Sequence, residues 1–302
     1  MRLLPKRKRE AADTSSVAAT QKVGKAFGFR QRWAAAFLES PQAILAAILL
    51  LLIVGFSLSA PFWGIEPDAL NLDNMSQAPS TEHWFGTDGL GRDYFIRVLY
   101  GGRVSLAVGL LATLTGTGIG VVVGLAAGFS VPWVDSLLMR IVDFFNSLPW
   151  LLMVMVVSLL LQPGIVSIVI CVGGFSWMGV ARLVRAETLS IRERSYVRYA
   201  VYIGQTKIRS AAWHVLPDAL PTILVAASAA VSGAMMSEAT LSFLGRGIQP
   251  PQASWGQLLQ IAQGSLQQLP HLALIPGALI MLTIYCLNVL TNVTRKATEA
   301  GQ

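Results

Sequence analysis

Long uncharged apolar runs constrain this chain more than any other feature. No charged residue occurs between Ala43 and Ala60, and five later stretches are nearly as apolar. A helix needs about 20 consecutive apolar residues to cross a bilayer core of about 30 Å. Because every backbone N–H and C=O group in lipid must be hydrogen-bonded internally, such runs favour helices. The sequence therefore predicts an all-α integral membrane protein.

The runs divide the chain into six predicted transmembrane helices. Only 13% of its residues are charged, whereas soluble domains have roughly 25%. The first span forms a unit of its own, and the other five form a predicted core over residues 104–292. The predicted spans cover about residues 42–60, 104–129, 137–161, 165–184, 221–244 and 272–292. The remaining segments are a basic N-terminal segment at 1–41, disordered to about residue 25, an outer loop at 61–103 and a tail at 293–302.

Basic residues orient these spans. Lysines and arginines concentrate before the first span, between the fourth and fifth spans, and after the sixth span. A six-span arrangement puts these three segments on one side, which the positive-inside rule assigns to the cytoplasm. We therefore predict a multi-pass protein of the cell (inner) membrane with both termini cytoplasmic. This topology explains the net charge of +7 without nucleic acid as a partner.

Small residues form a stripe along the second span. Four-residue spacing places them on one helical face, and small residues let helices approach closely in lipid. The stripe predicts close packing, either within this chain or against a partner subunit. Its members are Ala112, Gly116, Gly120, Gly124 and Gly128.

Two carboxylates fall within predicted spans. Asp143 is a functional candidate, because ionisable groups inside a membrane are costly, but Arg140 lies three residues earlier. A local pair between them, buried between helices, is the alternative that we favour. Glu238 falls near the outer end of the fifth span, where it faces either a polar path or the membrane interface. So few charges argue against a proton-coupled carrier.

Catalytic and metal-binding patterns are absent from the sequence. His83, His214 and His271 lack metal-ligand spacing. Cys171 and Cys286 lie in apolar runs, where small core residues are expected. No GxxxxGK[ST] phosphate loop occurs. We expect no catalytic residue, metal or cofactor in this chain.

One polar segment, GTDGLGRD at 86–93, precedes the second span. It is glycine-rich but lacks the GxGxxG pattern of dinucleotide sites. We expect a turn followed by a short helix at the outer interface, with fixed polar contacts from Arg92 and Asp93. The candidate residues are Gly86, Thr87, Asp88, Gly91, Arg92 and Asp93.

A second polar segment, the loop at 190–217, separates the fourth and fifth spans. Its apolar face, which we expect to dock on a partner, comprises Tyr196, Val197, Ala200 and Val201. Gly204 allows a sharp turn between two short helices, and Leu216-Pro217 ends the segment. An amphipathic helix lying on lipid is the alternative, but it leaves the spacing of Gly204 and Leu216-Pro217 unexplained. The candidate residues are Tyr196, Arg198, Tyr199, Ala200, Gly204, Val215, Leu216 and Pro217.

This loop resembles the signature of permease subunits in ATP-binding-cassette (ABC) importers. That signature reads Glu-Ala-Ala, three residues, Gly, and later an Ile-x-Leu-Pro-like end. Here Arg198-Tyr199-Ala200, Gly204 and Val215-Leu216-Pro217 keep the spacing, although the first two positions depart from Glu-Ala-Ala. Residues 83–107 and 238–258 resemble the C-type permease of dipeptide, oligopeptide and nickel importers. The family's Gly-Asp-Gly-Leu-Arg-Asp-like tail is replaced by TNVTRK at 291–296.

The resemblance implies a type I importer permease fold and a complex around it. The partners would be a homologous B-type permease, two cytoplasmic ATPase subunits that hold ATP and Mg, and an extracytoplasmic solute-binding protein. The 190–217 loop would couple to the ATPases, and the chain would form half of a pathway for di- or oligopeptides. A nickel or metal-chelate importer is the alternative within this class. A secondary transporter or channel without an ATPase is the alternative from another class.

Overall fold

A computed structural model describes residues 29–299 of the 302-residue chain. The predicted disorder before about residue 25 lies outside these residues. The described helices are α1 (Phe29–Leu38), α2 (Pro41–Ser59), α3 (Tyr94–Phe129), α4 (Pro132–Ser147), α5 (Trp150–Leu160), α6 (Ile165–Arg192), α7 (Ser195–Tyr202), α8 (Lys207–Ser210), α9 (Leu216–Phe243), α10 (Trp255–Ala262) and α11 (His271–Glu299). A π-helical turn, Ala211–Val215, joins α8 to α9. The described residues contain no strand beyond a single bridge between Thr87 and Asp93.

Five helical segments of the described residues are long and apolar enough to cross a membrane. They contain α2, α3, α6, α9 and α11, and the bent pair α4–α5 gives a sixth when it is counted as one span. The third predicted span corresponds to this bent pair, in which α4 and α5 meet at 90°. Leu148 is extended at this break, as expected before Pro149, which disfavours helical geometry in the preceding residue.

Several helices extend beyond their predicted apolar runs. Helix α3 begins at Tyr94, ten residues before the predicted span, because the Asp93 carboxylate caps it by accepting from the Ile96 N–H at 3.0 Å. The short helix predicted after GTDGLGRD is therefore the first part of α3. Helix α6 continues to Arg192, and α11 continues through the predicted tail to Glu299. Polar residues at these ends stay helical because hydropathy marks the lipid boundary and not the end of a helix.

Helices α3 and α6 pack along most of their lengths. A side chain at Gly120 would put its Cβ 2.8 Å from the Trp177 carbonyl, and one at Gly124 would lie 2.7 Å from the Ala181 carbonyl. Gly116 and Gly128 face Ser176 and Thr188 in the same way, and Ala112 is fully buried. The structure thus places the small-residue stripe against α6 of the same chain. Close backbone approach of this kind is a common packing mode in membranes.

Candidate functional site

The GTDGLGRD segment folds around a buried carboxylate. Gly86 and Gly91 have φ of +72° and +71°, a region that glycine enters freely. The Asp88 carboxylate accepts from the backbone N–H groups of Leu90 and Arg92 at 2.9 and 3.1 Å. Its other oxygen lies 2.7 Å from both Nε and Nη2 of Arg92. The turn is therefore ordered by charge-assisted hydrogen bonds inside the protein.

Arg97 completes this outer charge cluster, although no sequence motif singled it out. Its side chain is fully buried, its Nη1 donates to Asp68 Oδ1 at 2.7 Å, and its Nε lies 3.7 Å from Asp88. The only sequence signal for Arg97 is its position one helical turn after Asp93, the residue that caps α3. Recognising it required knowing that α3 starts at Tyr94.

Asp93 and its neighbour tie the segment to the rest of the outer end. Besides capping α3, the Asp93 carboxylate contacts His83 Nδ1 at 2.8 Å. The Tyr94 hydroxyl donates to the Leu272 carbonyl near the start of α11. Thr87 is fully buried, and its hydroxyl accepts from the Gln77 N–H at 2.9 Å. The bond between Tyr94 and Leu272 joins residues 178 positions apart and ties the outer segment to the core.

Glu238 lies in neither of the two environments expected for it. Its side chain is completely buried and accepts from the hydroxyls of Ser105 and Ser242, each at 2.8 Å. The Ser105 hydroxyl in turn accepts from the Trp255 N–H at 3.2 Å, at the start of α10. Glu238 therefore joins α3, α9 and α10 in one polar network. The serines were not identified from the sequence, because serine is common in membrane helices.

Asp143 also has a different partner from the one predicted. It pairs with Arg182 of α6 at 2.7 Å, and the two side chains are 65% and 49% exposed in this chain. The predicted buried pair with Arg140 is wrong, because packing of α4 against α6 brings Arg182 within reach. A second pair, Asp135 with Arg185, uses both carboxylate oxygens and joins the same helices.

The loop between the fourth and fifth spans forms a helical hairpin, α7–turn–α8. Gly204 makes the turn with φ of +93°, and open space surrounds it. The hairpin is anchored at its base: the Tyr196 hydroxyl and Arg194 Nη1 both donate to the Asp218 carboxylate at the start of α9. Partial burial, followed by the hydrogen bond to Asp218, raises the pKa of Tyr196 above its usual 10.0. The hairpin is therefore anchored at its base, and its turn at Gly204 borders open space.

The hairpin's exposed apolar face differs from the predicted one. Val197 and Ala200 are buried against the bundle, so they cannot contact a partner. Tyr196 and Val201 of the predicted face are exposed, at 43% and 40%. The most exposed apolar side chains are Tyr199, Tyr202 and Ile203, at 66%, 89% and 66%. Helical periodicity alone defines two apolar faces on this short helix. Tertiary packing decides which of them is buried, and it buries the face that contains Val197 and Ala200. Arg198 is exposed beside this outer face.

Leu216-Pro217, which ends the predicted loop, does not end a helix. The chain is helical from Lys207 through the π turn into α9. Pro217 lies two residues after the π turn, within this continuous helical segment. Val215 is buried and packs in a cluster with residues of α6 and α7. This arrangement makes the second arm of the hairpin continuous with the fifth span.

The described part of the chain has no cluster of side chains that could hold a metal ion. No three His, Cys, Asp or Glu side chains there come together as a metal site. Cys171 and Cys286 are buried free thiols. The expectation of no catalytic residue rests on the sequence and on the family relation below.

Family comparison identifies this arrangement of helices. Residues 120–299, which include the hairpin and Glu238, match the family model described as the binding-protein-dependent transport system inner membrane component. The chain belongs to this family.

Full-length relatives give the same result. A protein of Brucella suis biovar 1 (strain 1330) named as a peptide permease is 35% identical over 92% of this chain and 93% of its own length. The glutathione transport system permease protein GsiD of Pectobacterium atrosepticum is 35% identical over 87% of this chain and 88% of its own. GsiD of Shigella boydii serotype 4 is 37% identical over the same shares.

A solved structure supports the fold of the family. A crystal structure described as an amino acid ABC transporter with histidines aligns with a TM-score of 0.51 at 17% identity. The match covers 66% of this chain and 92% of that one. The chain is therefore a non-catalytic, multi-pass permease subunit of an ABC importer. In general such importers also contain a partner permease, ATPase subunits and a binding protein.

Proposed function

We propose that this permease forms half of a translocation pathway for di- or oligopeptides, including small peptides such as glutathione. The proposal is supported by relatives named for peptide and glutathione transport that align over most of both chains. Those names do not favour the nickel alternative. A homologous B-type permease would supply the other half, and a solute-binding protein would deliver the peptide to the outer end.

The observation that carries the coupling role is the exposed tip of the α7–α8 hairpin. Tyr199, Tyr202 and Ile203 expose large apolar surface on a polar loop between two spans. A contiguous exposed apolar surface of this kind is typical of a protein interaction site. Its proposed partner is a cytoplasmic ATPase subunit, one of two that hold ATP and Mg. This assignment also places both termini in the cytoplasm.

The hairpin is suited to transmit force in both directions. Its second arm is continuous with α9, and α9 reaches Glu238 and the outer helix α10. A displacement of the tip would therefore pass toward the outer end along one continuous helical segment. Closure of the ATPases would shift the bundle between inward-open and outward-open states. The size of this shift is set by how much more tightly the closed ATPases bind one state than the other.

Reconstitution tests this function directly. The complex in liposomes should hydrolyse ATP faster when a peptide-loaded binding protein is present, and it should accumulate labelled peptide but not nickel. Tyr199→Ala with Tyr202→Ala should release the ATPases, whereas Tyr285→Ala, an exposed tyrosine on α11, should not. Uptake that continues without ATPases would establish the alternative of a secondary transporter or channel.

A further inference from the structure

Two adjoining cavities open at the end of the bundle that carries the hairpin. The first, of about 610 Å³, lies between the last two turns of α3 and the base of the fifth span, and its wall is almost entirely apolar. Residues Val122, Ala126 and Phe129 line one side of it, and Ile208, Ala212 and Leu216 line the other. The second cavity, of about 380 Å³, lies beside α7.

The two cavities form one amphipathic groove. Both are bordered by Phe129, Ser130 and Lys207. The second cavity is lined by three cationic side chains, Arg192, Arg198 and Lys207, and by one carboxylate, Glu193. Arg198 and Lys207 form no ion pair with a carboxylate among residues 29–299.

The position of the groove matches the membrane boundary. The apolar run of the second predicted span ends at about Phe129, so the apolar cavity lies at the level where this run ends, and the cationic cavity lies beyond it. An occupant must therefore combine a long apolar part within the bilayer with an anionic group at its surface. A soluble peptide or free phosphate satisfies only one of these requirements.

We propose that this groove binds an anionic phospholipid, with an acyl chain between α3 and the fifth span and the phosphate at Arg198 and Lys207. Basic pockets between transmembrane helices on the cytoplasmic side suit such headgroups. The lipid would contact both Phe129 and the hairpin, and so would tie the coupling element to the membrane. This site goes beyond the proposed transport function and does not require an ATPase.

Native mass spectrometry of the purified importer complex tests the site. The complex is titrated with phosphatidylglycerol or with phosphatidylcholine of identical acyl chains. The wild type should retain phosphatidylglycerol in preference to phosphatidylcholine. Lys207→Gln should weaken phosphatidylglycerol binding by about fivefold, the contribution of one basic residue at an anionic membrane surface. Arg209→Gln, which changes an exposed arginine of α8 outside the groove, is the matched control and should not change it.

Two further variants separate the acyl chain from the headgroup. Ala126→Phe and Ala212→Phe each fill the apolar cavity from an exposed position, and both should reduce binding of either lipid. Excess inorganic phosphate should not displace the lipid. Equal retention of the two lipids, or phosphatidylglycerol retention unchanged in Lys207→Gln and in both phenylalanine variants, would overturn the proposal. So would a wild-type complex free of lipid whose groove is filled by the partner permease.

Discussion

The outer and inner ends of this permease differ in what they bury. The outer end buries charged groups with their partners, and the inner end leaves large apolar side chains exposed. At the outer end, Asp88 and Glu238 are buried, and each carboxylate has at least two hydrogen-bond donors within the chain. At the inner end, the α7–α8 hairpin exposes Tyr199 and Tyr202, and one exposed acid, Asp218, anchors its base. Buried charges require partners, and these two carboxylates have theirs within the chain. The inner end presents apolar surface that another subunit can cover.

This difference predicts where a substitution acts. Changes at the outer end should reduce the stability of the permease itself. Changes in the hairpin should leave the permease folded and should alter what it binds. The expected loss of stability is therefore largest at the outer end, smaller in the bundle and smallest in the hairpin.

Asp88→Ala should have the largest effect on stability. It removes the carboxylate between Arg92 and Arg97 and leaves two buried guanidinium groups without this partner. Breaking a buried ion pair costs about 3–5 kcal/mol. Thermal unfolding of the purified permease should shift strongly downward. Asp73→Ala, at an exposed acid of the same outer loop, is the control, and equal shifts in the two variants would contradict a buried cluster.

Gly120→Val should act on the packing that joins the two ends. The added Cβ would lie 2.8 Å from the Trp177 carbonyl, and overpacking of this kind costs about 1–3 kcal/mol. Gly118 lies on the same helix, and a Cβ added there would meet nothing within 4 Å, so Gly118→Val should cost much less. A thermal-shift comparison of the two variants is the measurement. Indistinguishable stabilities would mean that α3 and α6 are not in close contact at Gly120.

Gly204→Val should separate folding from coupling. A β-branched residue at φ of +93° strains the backbone by about 1–2 kcal/mol, while open space around the turn avoids a steric clash. The permease should insert and fold, but it should retain less ATPase on purification or stimulate hydrolysis less. Gly89→Val is the matched control, since Gly89 is equally open and does not have positive φ. Normal ATPase retention and transport in Gly204→Val would remove the hairpin from the coupling mechanism.

Tyr196→Phe should have the smallest effect, confined to the hairpin's base. Loss of one hydrogen bond to Asp218 costs about 0.5–1.5 kcal/mol, and Arg194 remains as a second donor. The pKa of Tyr196 is raised in the folded state, so the stability contributed by its neutral hydroxyl is complete below about pH 10.0. That contribution should be lost as the pH rises from there through the folded pKa.

Hydrogen exchange in α7 reports this transition. The wild type should become less protected above about pH 10.0, and Tyr196→Phe should lack this step while it retains the general alkaline trend. A step of the same size in both proteins would assign the change to another group.

Local patterns in the sequence were sufficient for the all-α class and for the approximate positions of the apolar spans. Span length and glycine spacing depend on residues within a few turns of one another, so they can be recognised without a structure. The family relation predicted from the hairpin and the two flanking motifs is confirmed by the match over residues 120–299. The membrane orientation of the termini stays a prediction.

Only the tertiary structure decided which groups meet. Asp143 pairs with Arg182, 39 residues away, and Glu238 meets Ser105, 133 residues away. The same packing turned Val197 and Ala200 inward and left Tyr199 and Tyr202 outside. Helical periodicity gives each residue a direction around its own axis, but a neighbour is defined only when two helices pack in a particular rotation and register. The sequence by itself therefore determined where the helices lie along the chain, and the packing of α3, α6 and α9 determined what each polar side chain does.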